Sequence, residues 1–181
     1  MKLFPIFKRK VFRRKTARPF FGAGFSILET AFAVSILIIA IGGPLALAGR
    51  SIRAASLSKN QIVAFHLAQE AMEFVRNKRD SNVFAGLDWL DGFGPCLSLE
   101  GCVIDSYAGT VSACGGACPV IRHDPASGLY NYALGDDQVF TRKTRIISIT
   151  SDEIKVTSEL SWLEIFSNHS FTLEEHLFKW H

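Results

Sequence analysis

The sequence predicts an α+β chain in which one long N-terminal helix packs on a small C-terminal antiparallel sheet. Three observations carry this. Residues 30–49 hold no charged side chain. Residues 51–83 hold neither Gly nor Pro and change from uniformly apolar to amphipathic. Near the C-terminus Ile154, Val156, Ser158, Leu160 and Trp162 alternate with polar neighbours, as a half-buried strand should.

Composition narrows the class. Of 181 residues 48% are hydrophobic and 20% charged, which excludes a disordered tail. The net charge of +3 is an average over two unlike parts. Eight of the 20 Lys and Arg residues (Lys2, Lys8, Arg9, Lys10, Arg13, Arg14, Lys15, Arg18) lie within 1–24, which has no acid. The remaining 12 basic groups face 17 acidic ones, a formal charge of −5. That balance argues against nonspecific nucleic-acid binding by the body of the chain.

The apolar run follows the basic segment directly. Twenty helical residues at about 1.5 Å each span roughly 30 Å, the thickness of a bilayer core. Basic residues stay on the cytoplasmic side, so the rest is expected to lie outside the cytoplasm. Three readings of this N-terminus compete. One is a signal anchor with nothing removed. Another is a secretory signal cut after Ala48, where Ala46-Leu47-Ala48 gives a small-x-small pattern. The third starts from Glu29, an acid at the edge of the apolar run, where an unpaired carboxylate costs about 2–3 kcal/mol or more. A cut after Gly24 would create an α-amine on Phe25, one helical turn from Glu29. In an array of such helices the amine of one chain meets the carboxylate of the next, and the pair fixes axial register.

The segment Gly24-Phe25-Ser26-Ile27-Leu28-Glu29 ahead of a long apolar helix resembles the processing motif of type IV prepilins and of type II secretion pseudopilins. The resemblance implies a leader, 1–24, cut after Gly24 by a prepilin peptidase, N-methylation of Phe25, and use of Glu29 in assembly. It also implies the pilin fold, other pilin subunits as partners through their N-terminal helices, an assembly platform and ATPase acting indirectly, and residence in the inner (cytoplasmic) membrane before incorporation into a filament. Residues 68–82 are similar to the stretch ending the long helix in minor pilins of the pilus-modification and pseudopilin-I type. The expected function is a minor type IV pilin, a structural subunit and not an enzyme. The alternatives are a secretion pseudopilin and, from another class, a signal-anchored or secreted sensor or enzyme domain.

The expected organisation is a leader over 1–24, a long helix over 25–80 and a globular domain over 81–181. The helix divides into an apolar part, 25–49, and an amphipathic part, 50–80. Pro44, after Gly42-Gly43, removes the bond to the Ala40 carbonyl and predicts a local bend or melt. In the amphipathic part Leu57, Val63, Ala64, Phe65, Leu67, Ala68, Ala71, Met72, Phe74 and Val75 share one broad side, with Ser58, Lys59, His66, Gln69, Glu70, Glu73, Arg76 and Asn77 opposite.

Residues 83–138 are rich in Gly, Asp, Ser and Pro and show no resolvable strand. This segment holds Cys96, Cys102, Cys114 and Cys118. Outside the cytoplasm two disulfides are expected, with local pairing preferred over crossed; zinc is the rival, because Cys114-x3-Cys118 is a tolerable ligand spacing. Residues 139–178 then read as three strands joined by short turns, an antiparallel meander whose apolar face the helix covers.

No cofactor, metal centre or catalytic set is predicted. His176, His181, Glu174 and Glu175 form a weak metal constellation, and His123, Asp124 and Ser127 form a loop cluster of ordinary turn composition. Arg142, Lys143 and Arg145 are the one basic cluster of the body and read as a solvated strand face.

Overall fold

The structure is a computed structural model that describes residues 24–164 and 167–179. The leader 1–24, except Gly24, lies outside them. By internal contacts the chain divides after Ala48. Helix α1, Ile27–Phe84, runs through both parts.

In the first part α1 passes Gly42-Gly43-Pro44 without a break, so the expected melt is absent. A proline ring already holds φ near its helical value, and only one hydrogen bond is lost. The helix begins after an uncoiled Gly24-Phe25-Ser26, where Ser26 Oγ accepts from the Leu28 N–H at 3.3 Å.

In the second part α1 extends to Phe84, beyond the expected end near residue 80. It stops in a Schellman arrangement. Leu87 N–H donates to the Asn82 carbonyl at 2.9 Å and Gly86 N–H to that of Val83 at 3.0 Å. Gly86 takes φ +70°, a conformation glycine adopts without steric cost. The Asn82 side chain donates to the carbonyls of Trp89 and Asp91, holding the chain as it leaves the helix.

Among the described residues seven strands follow in an antiparallel sheet: β1 (Cys102–Asp105), β2 (Thr110–Ala113), β3 (Val120–Asp124), β4 (Leu129–Asn131), β5 (Asp136–Ser148), β6 (Glu153–Glu164) and β7 (Ser167–Phe178). The expected meander is β5, β6 and β7. Segment 83–138, where the pattern shows no strand, contributes β1 to β4 and a 3-10 turn, Gly94–Leu97. These strands have three to five residues, too few for an alternation to stand out. β6 lies between β5 and β7, in continuous register from Glu153↔Phe178 to Glu164↔Ser167. Both β1 and β3 pair with the opposite edge of β5, at Thr144 and over residues 136–141.

The core lies between the sheet and 64–82 of α1, in two apolar clusters. Ala71, Met72 and Val75 pack with Trp89, Phe93, Ile104, Ile146, Ile154, Val156 and Leu177. Nearer the start of the domain Ala64, Leu67 and Ala68 pack with Ile121, Phe140, Leu160 and Trp162. Disulfides join Cys96 to Cys102, buried in the first cluster, and Cys114 to Cys118 near the surface. Pairing is therefore local, and a sulfur bound in a disulfide offers no thiolate to zinc.

Candidate functional site

The sequence-derived site lies at the start of α1. The peptide bond between Gly24 and Phe25 precedes the helix in coil, and no atom approaches a Cβ built on Gly24 within 4 Å. Phe25 is 77% exposed. Glu29 stands in the first helical turn, where the positive end of the macrodipole favours an acid. Among the described residues no hydrogen bond or ion pair reaches its carboxylate; the first turn is closed instead by Thr30, which donates to the Ser26 and Ile27 carbonyls.

Beyond Glu29 the helix presents Phe32, Val34, Ile36, Leu37, Ile38, Ile39, Ile41, Leu45 and Leu47 to its surroundings, each more than half exposed. It is long and apolar enough to cross a membrane. In water such a surface is unfavourable by about 25 cal/mol per Å².

Four polar ties fix the second half of α1 to the sheet. Glu164 of β6 accepts from Asn60 at 3.3 Å, and its carboxyl is held below the usual carboxylate range chiefly by the Ser56 hydroxyl. Arg76 forms a fork onto Glu175 of β7, Nε to Oε1 at 2.8 Å and Nη2 to Oε2 at 2.7 Å, which raises the guanidinium pKa. Arg79 donates to the Phe178 carbonyl.

The fourth tie corrects the solvated-face reading of Arg142. Its side chain is 2% exposed and lies between the two apolar clusters. Nη1 donates to the Leu67 carbonyl at 2.7 Å, Nη2 donates to the Ile104 carbonyl, and Glu70 lies 3.5 Å away. The guanidinium also sits 5.9 Å from the Tyr132 ring centre. Burial pushes the Tyr132 hydroxyl pKa up, against the opposing charge of Arg142. Sequence carried the signal: Phe140, Arg142, Thr144 and Ile146 fall in one phase of period two, and all four are buried. Lys143 and Arg145, in the other phase, are half-buried.

The minor constellations have structural roles. Ser127 Oγ donates to Asp124 Oδ2 at 2.7 Å and Ala126 N–H to Oδ1 at 3.0 Å, closing the β3–β4 turn. These bonds lower the Asp124 pKa, the hydroxyl first. His176 Nδ1 lies 2.6 Å from Glu153 across β6 and β7, and His181 lies outside the described residues. Among the described residues no group of three potential ligands gathers.

Comparison with protein-family models, with curated proteins and with solved structures finds no match.

Proposed function

We propose that this chain is a minor type IV pilin, a structural subunit that a prepilin peptidase cuts after Gly24 and that then enters a pilus-like filament through its N-terminal helix. Glu29 carries the reading. A carboxylate without a partner at the head of an exposed apolar helix needs a cation, and cleavage supplies one on Phe25. The coil at Gly24 and Phe25 leaves the bond open to an enzyme. A chain waiting in the inner membrane exchanges lipid for helix contacts of similar apolarity, so the charge pair supplies the direction. An assembly platform and ATPase drive this exchange indirectly.

Glu29→Gln tests the proposal. Membrane insertion and cleavage continue in the variant, while its incorporation into filaments, measured by immunoblot of the sheared fraction, falls at least about tenfold, the effect of a lost pair worth about 1.4 kcal/mol. Incorporation at the wild-type level would remove the basis of the amine–carboxylate pair.

A further inference from the structure

The second half of α1 carries a charge pattern that its own sheet uses only at Glu70, 3.5 Å from Arg142 of β5. No Asp or Glu occurs from Thr30 to Gln69. Arg50 and Arg53, three residues apart and exposed, therefore have no acid within reach along their helix, and among the described residues none pairs with them from the sheet. Glu70 and Glu73 repeat the same three-residue spacing 20 positions later. With Asn77, Asp80 and Ser106 they line an open groove of about 520 Å³. Glu73 is 67% exposed and Glu70 34%. The cations in or beside the groove, Arg76, Arg79 and Arg142, pair with Glu73, Asp80 and Glu70 respectively but also hold β7 or the core. The groove keeps exposed acidic oxygen.

The phase of the two pairs is informative. Twenty residues advance the helix by about 30 Å and by five turns plus roughly 200°. Arg50 and Arg53 thus point to the side of α1 that Ala64, Ala68 and Val75 bury against the sheet, but at a level before the sheet begins. Glu73 points away from the sheet, and Glu70 lies on the flank of the helix beside Arg142 of β5.

We propose that Arg50 and Arg53 of one copy dock into the Glu70–Glu73 groove of a second copy whose helix runs parallel and is displaced by about 30 Å. The parallel alignment rests on the filament reading. Arg50 then meets Glu70 and Arg53 meets Glu73. The second copy applies the back of its helix to the first copy's stem, and its own sheet faces outward. Donor and acceptor lie on opposite sides of one helix and at different levels. The contact is heterologous and cannot close into a ring, so it propagates along an axis.

The test uses the full-length chain in cells that assemble it. Arg53→Cys and Glu73→Cys in separately tagged, co-expressed copies are expected to form a mixed disulfide on mild oxidation, with Arg50 and Glu70 left in place. Arg53→Cys with His66→Cys, about 10 Å short of the register, should not. In otherwise native copies Arg53→Glu or Glu73→Arg alone should lower co-purification of the two tags about fivefold, and both reversals in one chain should restore it. Equal cross-linking to His66→Cys, or failure of the double reversal to restore pairing, overturns the register. So does loss of anionic-lipid retention, with pairing unchanged, in Arg50→Gln/Arg53→Gln, because the arginines would then serve the membrane surface. The mature N-terminus of the same material separates the two levels: Phe25 with charge-insensitive pairing overturns this contact alone, whereas Met1 overturns the filament reading beneath it.

Discussion

Arg142 organises the interior of the sheet domain. Its guanidinium spans from the Leu67 carbonyl on α1 to the Ile104 carbonyl on β1, with Glu70 as counter-charge. Arg142→Ala leaves a cavity and strips Glu70 of its partner, a loss of about 3–5 kcal/mol measurable by denaturant unfolding of the full chain in detergent. Arg142→Lys does not restore it, because one ammonium lacks the planar fork that reaches both carbonyls. Thr144 and Ser158 face each other across β5 and β6, both fully buried, and their hydroxyls make no hydrogen bond to protein. Thr144→Val is therefore expected to be neutral or stabilising by up to about 1 kcal/mol in the same measurement. The alternation of β5 places Arg142 in the apolar phase, but its charge argues for solvent. Only the non-local partners, residues 67 and 104, decide between them, and no sequence pattern links positions so far apart.

Among the elements, the two disulfides hold different positions. Cys96–Cys102 lies in the core beside Phe93 and Ile104, whereas Cys114–Cys118 closes a short loop near the surface. Replacing the first pair by Ala costs about 2 kcal/mol from loop closure, with packing loss in addition. Replacing the second by Ser costs less, and thermal unfolding ranks them. Glu164 ties β6 to α1 through Ser56 and Asn60, with its folded pKa below the ordinary 4.5. Its contribution is complete above the unfolded pKa and disappears as pH falls through the lower folded value. Glu164→Gln therefore flattens the acid limb of a stability–pH profile. The long elements were legible in the sequence, since β6 alternates over nine residues and α1 runs 33 residues without a breaker. β1 to β4 were not: β2 is almost wholly exposed, and β1 meets β5 at the single register pair Cys102↔Thr144.

At the scale of the whole molecule the chain joins a sheet domain with a core of its own to a helix segment that buries none of its apolar side chains. Everything proposed for function follows from that segment having to find another apolar environment. The candidate site at Gly24, Phe25 and Glu29 is read from the sequence because its logic is local: a bond, the amine its cleavage would release, and a carboxylate one turn away. The acidic groove is not legible in the sequence, because Glu70 and Glu73 meet Ser106 only in the folded chain. The most direct measurement is the mass spectrum of the N-terminal peptide recovered from polymerised material. A peptide beginning at N-methylated Phe25 is the expected result; one beginning at Met1, with its eight basic residues retained, would contradict the origin assigned to the cation that neutralises Glu29.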